Sequence, residues 1–378
     1  MSVLEVFARN PAALPVIATL RGARYQLAAI ALVMLLLLAV AWSIDLADKF
    51  ADVRNAAEAR GAPLLSVLAP YMLYRAVDIV TRLLPVACFV AVFAAEIAPR
   101  RRLESVVHAA AGMSPLQSLA PAFLAAAVVG GAQLGLESWW RPAAVFAQVD
   151  LGVGSYADRF RRGVSSQREW FLSGHDAISG LVVSQDEPEL REVELFRGFS
   201  DDRLEQVVLA RKAEPAEIPG RWLLLDAVVW DRQAGGDTYE PRRESFIEVD
   251  FAMIPDQLTY FDVPGFYLPN GPLHRLAGMR ALPAIADMDL AIWRRWSAFF
   301  LPGAFVLLGA TVARNVWSGR MVSFQRVALY GLAGYAAVLS VKILWSMGEQ
   351  GAIPASFAAC APIAAALAAA ATIQFIRS

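Results

Sequence analysis

Residues 99–114 read PRRRLESVVHAAAGMS and lie between two long hydrophobic runs. The stretch opens with a block of arginines, has one acidic residue at Glu104, continues through an alanine-rich helical segment, and ends at Gly112 and Ser114. Arginines between membrane spans mark the cytoplasmic side, because moving them across the bilayer is costly. A short helix on that face with a single carboxylate is suited to receiving a push from a soluble partner. The stretch therefore predicts a coupling helix over residues 103–112, and the rest of the chain is interpreted as the membrane device that this helix drives.

The composition is that of a membrane protein with a polar insert. Of the 378 residues, 57% are hydrophobic and 18% are charged, whereas soluble globular proteins have about 45–50% apolar and about 25% charged residues. The apolar excess lies in blocks near both ends, and the middle of the chain is ordinarily polar. The formal net charge of −1 gives no argument for a nucleic-acid partner. These features predict a polytopic α-helical membrane protein with one inserted soluble domain.

The sequence has no motif for nucleotide binding, metal binding or covalent catalysis. No GxxxxGK[ST], HExxH, GxSxG or CxxC pattern occurs, and the three histidines are scattered. Cys88 and Cys360 both lie in hydrophobic runs and are interpreted as small core residues rather than a disulfide. We expect no cofactor or metal on this chain, so that the energy for any work against a gradient comes from a partner or from ion flow.

Six hydrophobic runs are long enough to cross a membrane, since about 20 helical residues span the hydrocarbon core. They are called spans 1 to 6 and comprise residues 26–44, 68–98, 116–136, 292–312, 327–347 and 355–376. Six spans place both termini on one side. Arginine-rich segments at the N terminus, at 100–102 and at 314–326 fall on that same side, which the positive-inside rule makes cytoplasmic. Residues 3–24 are expected to form a short interfacial helix or a basic tail, and residues 45–61 a polar segment on the outer side.

The polar middle of the chain has the pattern of an all-β domain. Turn residues separate six runs with β character, and no 10–15-residue helical pattern interleaves them. The runs are residues 169–172, 177–183, 192–196, 204–211, 222–230 and 245–251. The chain is thus divided into an N-terminal membrane half at 1–137, a β domain at 138–286 and a C-terminal membrane half at 287–378. Because the β domain follows span 3, it is expected outside the cytoplasm.

Three charged residues of span 2 share one face of the helix. Arg75, Asp78 and Arg82 stand at spacings i, i+3 and i+7. They are interpreted either as a ladder that neutralises itself or as the polar face of a cavity that meets an anionic headgroup.

Three further cations border or enter the C-terminal spans. Arg294 and Arg295 stand at the entrance to span 4 and are expected to snorkel to the interface. Lys342 is the only strongly polar residue deep in spans 4–6, and it is expected either to pair across the bundle or to snorkel outward.

Several short patterns occur in order along nearly the whole chain. They are RY at 24–25, ESVVHAAAG at 104–112, ESWWRP at 137–142, Trp170, WLLLD at 222–226, and GAIP at 351–354 followed by residues 358–362. Together with the order of three spans, a β domain and three spans, they resemble the LptF/LptG permease family, the membrane subunits of the bacterial lipopolysaccharide exporter. Asp45 and Asp48 after span 1, with residues 137–142, resemble the LptG branch slightly more.

The resemblance implies an inner-membrane permease with an external β-jelly roll in the periplasm and both termini in the cytoplasm. Two such permeases pair around a cavity between their first and fifth spans, and an LptB-like ATPase dimer supplies the ATP and Mg chemistry. Lipopolysaccharide passes from the cavity through the jelly roll towards LptC-like and LptA-like periplasmic proteins. The implied ATPase-coupling residues are Glu104, Arg100, Arg101, Arg102, His108 and Gly112. The candidate cavity residues are Lys49, Arg75, Asp78, Arg82 and Lys342.

One departure from the family concerns the outer end of span 1, where members usually present basic residues to lipid A phosphates. Here that end is acidic at Asp45 and Asp48, with Lys49 as its only cation. The phosphate contact then falls to Arg75 and Arg82, or the headgroup differs. The alternatives to an exporter subunit are a membrane-anchored periplasmic scaffold or sensor without transport activity, and a membrane enzyme that acts on lipid.

Overall fold

The chain folds into two compact units, one helical and one built on a β-sheet. The computed structural model describes residues 14–98, 103, 107, 110, 112–114, 116–160, 163–184, 187–199, 204–232, 239–279, 285–318 and 321–375. The helical unit comprises Met1–Gly154, Gly265–Pro269 and Ala286–Ser378, and the β unit comprises Ser155–Pro264 and Asn270–Ile285. In this division the β unit begins at Ser155, after the helix Arg141–Leu151.

The helical unit contains the predicted spans. In the described part of the chain, five helices are long and apolar enough to cross a membrane, and a bent pair of helices makes a sixth. Spans 1, 2, 5 and 6 are the helices Leu14–Ala59, Leu64–Ile97, Phe324–Glu349 and Ala355–Phe375. Span 4 is the bent pair Ile285–Ser297 and Phe300–Ala313, whose axes differ by 55°. A two-strand hairpin, Trp317–Ser318 with Met321–Val322, precedes span 5. The predicted polytopic α-helical fold is confirmed.

Span 1 is longer than its apolar run. Its helix Leu14–Ala59 has 46 residues, which is about 69 Å at 1.5 Å per residue and about twice the hydrocarbon thickness. The separate interfacial helix predicted within residues 3–24 is wrong for residues 14–24, which belong to this helix, while residues 3–13 lie outside the described residues. The polar residues after the apolar run also stay helical, since charged side chains at i, i+3 and i+4 support the helix. The helix ends before Gly61, which has a φ of +60°.

Span 3 is built from four consecutive helical pieces. A 3-10 turn, Gln117–Leu119, leads into the α-helix Ala120–Gly135; a π-turn, Leu136–Trp140, then leads into the α-helix Arg141–Leu151. The start is capped reciprocally: the Gln117 amide N–H donates to Ser114 Oγ over 3.2 Å, and the Ser114 N–H donates to Gln117 Oε1 over 2.9 Å. The last piece ends at Gly152 in the left-handed region.

Small residues allow close helix packing inside the helical unit. A Cβ at Gly130 would lie 2.2 Å from the carbonyl oxygen of Phe299, at the bend of span 4. A Cβ at Gly334 would lie 2.0 Å from the ring of Phe89. Cys88 is buried in this core, as expected, whereas Cys360 is exposed, and both are free thiols. Backbone approach at glycine is therefore part of how the spans fit together.

The β unit contains a six-stranded antiparallel sheet in the order β1 to β6, each strand hydrogen-bonded to the next in sequence. The strands are β1 Gly163–Ser173, β2 Asp176–Ser184, β3 Glu189–Arg197, β4 Gln206–Pro215, β5 Arg221–Arg232 and β6 Tyr239–Asp250. Each of the six predicted β runs lies in or overlaps one of them, so the inserted all-β domain is confirmed. A short helix, Ser155–Arg159, precedes β1, and two more, Pro255–Thr259 and Asn270–Ala277, follow β6.

One face of the sheet carries the core of the β unit. Ile178, Leu195, Val208 and Val229 stand opposite one another across β2 to β5, and all four are buried. Trp222 closes this core, and its indole N–H donates to the Met253 carbonyl oxygen over 3.0 Å. Because successive side chains of a strand point to opposite faces of the sheet, buried and less buried residues alternate along parts of β4 and β5.

Candidate functional site

Asp78 is the centre of a set of charged side chains inside the helical unit. Its carboxylate is buried and receives three arginines: Arg75 Nη1 at 3.3 Å, Arg82 Nε at 3.1 Å and Arg141 Nε at 2.9 Å. The predicted Arg75–Asp78–Arg82 contacts therefore form, and Arg141 from span 3 joins them. A buried carboxylate is stable only when paired and hydrogen-bonded, and here the guanidiniums outnumber it.

Span 1 enters this set through Asp45. Arg75 Nε donates to Asp45 Oδ1 over 2.7 Å, and the Tyr71 hydroxyl donates to Asp45 Oδ2 over 2.6 Å. The acid that made the outer end of span 1 look unlike the family is thus a partner of Arg75. Arg75 is bound by two carboxylates, one on each side.

Glu137, in the π-turn of span 3, connects spans 3 and 4. Arg141 Nη1 lies 3.4 Å from Glu137 Oε2, and Arg294 Nη2 lies 2.6 Å from Glu137 Oε1. Arg294 Nη1 also lies 3.6 Å from Glu349 Oε1 at the end of span 5. π-turns occur frequently at functional sites, and this one holds a buried carboxylate between two arginines.

Arg294 and Arg295 do not snorkel, and the prediction for them is wrong. Both side chains are 7% exposed. Arg294 binds Glu137, and Arg295 Nη2 donates to the Leu268 carbonyl oxygen. The reason is that span 4 bends directly after these residues, and buried acceptors on neighbouring segments replace the water that a snorkelling arginine seeks.

Aromatic rings cover the arginines of this set. The guanidinium carbon of Arg141 lies 5.0 Å from the ring centres of both Phe266 and Tyr267. The same atom of Arg294 lies 4.9 Å from the Phe266 ring and 3.9 Å from the Trp345 ring. These distances are those of cation–π contacts, so desolvated guanidiniums gain a second kind of partner. Arg82 Nη2 also donates to the Tyr267 hydroxyl over 2.5 Å.

We call these paired charges the polar network. It contains four carboxylates and four arginines: Asp45, Asp78, Glu137 and Glu349 with Arg75, Arg82, Arg141 and Arg294. Through these contacts the polar network links spans 1 to 5. The most exposed of the four arginines is Arg82, whose side chain is 47% accessible, against 19% for Arg75. An anion that approaches the network from solvent therefore meets Arg82 first.

The other predicted cavity residues lie on exposed or partly exposed faces. Lys49 Nζ lies 3.1 Å from Asp52 Oδ2, one turn further along span 1. Lys342 is exposed on span 5, and within the described residues no ion pair across the bundle is found for it.

The predicted coupling residues lie mostly outside the described residues: Glu104, His108 and the arginines Arg100, Arg101 and Arg102. Gly112 is described and has a φ of +80°, with open space around the position that a Cβ would occupy. Leu103 and Val107 have helical backbone and exposed side chains. A residue at 112 must therefore tolerate the left-handed region, which favours glycine at the end of a helix.

Sequence reasoning missed most of the polar network. Glu137 and Arg141 were quoted only as a family pattern, although their i, i+4 spacing in an apolar span is itself a signal, because ionisable residues inside a membrane span are expensive and usually functional. Phe266 and Tyr267 gave no signal, since they lie in a five-residue segment of the helical unit that stands in the sequence between the two parts of the β unit. In the described part of the chain, no group of three His, Cys, Asp or Glu side chains is placed to hold a metal ion.

Comparison with models of protein families finds a match over residues 23–376. The family is described as the lipopolysaccharide export system permease LptF/LptG. The match covers every span and all six strands of the sheet. Comparison with curated proteins finds no match.

Proposed function

This chain belongs to the lipopolysaccharide export system permease LptF/LptG family, and on that premise we propose that it is one permease subunit of an ATP-driven lipopolysaccharide exporter. It extracts lipopolysaccharide from the inner membrane and passes it to a periplasmic bridge. The observation that carries the proposal is the family match over residues 23–376, and the sheet inserted between two sets of spans supports it. A permease subunit is not itself an enzyme, so a separate ATPase hydrolyses ATP with Mg, and this chain binds no cofactor of its own.

The proposed topology places both termini in the cytoplasm and the β unit in the periplasm. The support is the distribution of arginine at 100–102 and 314–326, which marks the cytoplasmic side. With this orientation, the polar network lies towards the periplasmic end of the bundle.

The proposed lipid route follows spans 1 and 5. Both expose most of their apolar side chains, including Leu35 and Leu36 on span 1 and Leu332 and Ile343 on span 5. Apolar faces of this kind are stable against lipid or against another membrane helix. We assign them to a cavity shared with a second LptF/LptG-type permease.

The proposed headgroup contacts are the accessible cations. Arg82 is the most exposed arginine of the network, and Lys49 and Lys342 are its counterparts on spans 1 and 5. Arg75 and Asp78 neutralise charges within the protein, so they position Arg82 and do not themselves bind the phosphates of lipopolysaccharide.

The proposed ATPase contact is the segment around Glu104. Its support is the residue pattern, because Glu104 follows three arginines and precedes His108 and Gly112. The exposed Leu103 and Val107, four residues apart, add an apolar face on one side of the helix. An LptB-like ATPase dimer is the partner that this surface fits.

The proposed periplasmic contacts use the ends of the sheet. β1 and β6 have a strand neighbour on one side only among the described residues, and such edges pair with strands of other proteins. LptC-like and LptA-like proteins are the partners that continue the bridge.

The experiment that tests the proposal is a mild-detergent purification of the tagged chain, with ATP hydrolysis assayed and bound lipid identified by mass spectrometry. The expected result is an ATPase, a second six-span permease and lipopolysaccharide in the same complex. A chain that comes down alone, without ATPase activity or lipid, overturns the exporter subunit and favours the scaffold or sensor.

A charge reversal tests the coupling residue within that complex. Glu104→Arg is expected to abolish export while the chain still inserts, because the reversed charge repels the ATPase surface that accepts a carboxylate. Glu58→Arg is the matched control, since Glu58 is an exposed acid paired only on the surface of its own helix, with Arg54 at 3.6 Å. Normal growth of the Glu104→Arg strain, with the ATPase still bound, contradicts the assignment.

A further inference from the structure

Spans 1 and 2 are joined by polar contacts at both ends. At one end Arg75 and Tyr71 donate to Asp45 over 2.7 and 2.6 Å. At the other end Gln26 Nε2 donates to Glu96 Oε1 over 2.8 Å. Gln26 and Asp45 are 19 residues apart on span 1, which is about 28 Å along a helix and close to the hydrocarbon thickness of about 30 Å.

Spans 3 and 4 repeat this arrangement. At one end Arg294 Nη2 binds Glu137 Oε1 over 2.6 Å. At the other end Arg314 binds Ser118 twice, with Nη1 donating to Oγ and Nη2 donating to the carbonyl oxygen, both over 2.9 Å. Ser118 and Glu137 are again 19 residues apart. Each pair of spans therefore has a polar clasp at either end of a membrane-thick stretch of apolar packing.

The two contacts at the end near the coupling segment, Gln26–Glu96 and Ser118–Arg314, are called the inner clasps. Their surroundings favour the bonded arrangement. Gln26 is 2% exposed. Separating a buried polar group from its hydrogen-bond partner inside an apolar bundle is unfavourable, because no water replaces the partner. Arg314 caps the C-terminal end of the helix Phe300–Ala313, where a cation is favourable next to the helix dipole. Ser118 lies in the first turn of span 3, which the Ser114 and Gln117 contacts already fix.

The two inner clasps flank the coupling segment on both sides. Glu96 is the residue before Ile97, where the helix of span 2 ends, and Ser118 lies in the 3-10 turn Gln117–Leu119 that begins span 3. At their other ends the two pairs share the polar network through the Asp78–Arg141 contact of 2.9 Å. Each helix that borders the coupling segment is thus hydrogen-bonded at that end to one further span, span 2 to span 1 and span 3 to span 4.

We propose that Gln26–Glu96 and Ser118–Arg314 are positioning contacts that carry the displacement of the coupling segment from span 2 to span 1 and from span 3 to span 4. This inference rests on the proposed exporter function. The contacts of four side chains thereby couple ATP hydrolysis to lipid movement; they are Gln26, Glu96, Ser118 and Arg314. Without an inner clasp, a displacement of the coupling segment still reaches spans 2 and 3, but it is no longer transmitted to span 1 or span 4.

The test measures ATP hydrolysis and lipopolysaccharide release in parallel on the reconstituted complex. Glu96→Ala and Arg314→Gln each remove one inner clasp. In both variants we expect hydrolysis within about twofold of the wild type and lipid released per ATP lowered about fivefold or more, the size of a typical coupling between sites. Arg326→Gln is the control, because Arg326, in the first turn of span 5, donates to the Asn315 and Trp317 carbonyl oxygens of the connection between spans 4 and 5, and among the described residues no bond from it to another span is found.

Two further variants separate a positioning role from a fold defect. The exchange Gln26→Glu with Glu96→Gln keeps an amide–carboxylate pair and is expected to restore lipid release per ATP. Ser118→Ala keeps the bond from Arg314 to the carbonyl oxygen and is expected to lose less than Arg314→Gln. Parallel loss of hydrolysis and release, unchanged release, or failure of the exchange to restore it overturns the inference. If the wild-type complex itself neither hydrolyses ATP nor releases lipid, the proposed function fails, and the inference fails with it.

Discussion

Asp78 compensates positive charge inside the helical unit, because three arginines from two spans contact its one buried carboxylate. The net contribution of such a cluster to the free energy of unfolding is small, since the cost of desolvating the charges offsets most of their attraction. Removing one member is different, because the remaining charges stay buried without compensation. The residues of the polar network are therefore sensitive one at a time.

Asp78→Asn is expected to lower the free energy of unfolding by about 3–5 kcal/mol, since it leaves buried guanidiniums without their carboxylate. The measurement is detergent-based equilibrium unfolding of the purified chain. Glu58→Gln serves as the control, because surface ion pairs contribute about 0–1 kcal/mol. Equal stability of Asp78→Asn and the control contradicts a structural role for the network.

Glu189 in the β unit links stability to pH. Burial raises the pKa of Glu189, but hydrogen bonds from Lys212 and Arg191 outweigh burial and hold this pKa below its usual value. A carboxyl group with a lower pKa in the folded state contributes stability at neutral pH, and this contribution is lost as the pH falls through the acid range.

The thermal midpoint of the β unit is therefore expected to fall less on acidification in Glu189→Gln than in the wild type. Circular dichroism of the full-length chain at neutral and acidic pH provides the measurement. Glu240→Gln, at an exposed position of β6, keeps the wild-type dependence if the argument is correct. An identical pH dependence in all three proteins excludes Glu189 as the source.

At the scale of elements, Gly130 allows span 3 to pack closely against span 4, whereas the next residue, Gly131, faces open space. A Cβ at Gly130 would meet the Phe299 carbonyl oxygen at 2.2 Å, whereas Gly131 has nothing within 4 Å of that position. Gly130→Ala must therefore displace the bend of span 4. Gly131→Ala only replaces glycine with a better helix former, which is worth about 0.8–1.0 kcal/mol in a helix interior.

The two substitutions are expected to have opposite signs in the same unfolding experiment. Gly130→Ala lowers the midpoint, and Gly131→Ala leaves it unchanged or raises it. Because the two residues are neighbours in one helix, differences in detergent or insertion affect both variants alike. A Gly130→Ala protein as stable as Gly131→Ala contradicts the observed packing.

The elements that follow from local pattern were predictable. The apolar runs of six spans and the six runs of β character between turn residues are signals in the sequence itself, and each run lies in or overlaps the expected element. The helical continuation of span 1 to Ala59 was not predicted, because residues 45–61 were described only as a polar segment, although their charges are spaced for a helix.

The elements that follow from tertiary contact were not predictable. The 55° bend of span 4 and the π-turn at Leu136–Trp140 each lie just before a proline, Pro302 and Pro142, which removes a helix hydrogen bond but fixes neither the angle of the distortion nor its partners. Arg294 was expected to snorkel because its partners, Glu137 and Glu349, lie 157 and 55 residues away in sequence. Pairing over such separations is fixed by how the spans pack, which a single sequence does not reveal.

At the scale of the whole molecule, the spans differ in how they are covered. Spans 2, 3 and 4 supply most of the buried core of the helical unit, including Phe89, Ala125 and Phe305. Spans 1 and 5 keep wide apolar faces exposed. An apolar face in a membrane needs no protein partner, so exposure alone does not distinguish bulk lipid from a substrate cavity.

Site-specific photocrosslinking distinguishes these two surroundings. A photoreactive side chain at Leu35 or at Leu332, 63% and 68% exposed, is expected to capture lipopolysaccharide and a second permease if these faces line the shared cavity. Phe123 on span 3, 50% exposed, is the matched position outside the proposed route and is expected to capture phospholipid. Since all three side chains are apolar and accessible, differences between their products reflect location. Lipopolysaccharide at Phe123 and none at Leu35 or Leu332 would move the lipid route to another face of the bundle.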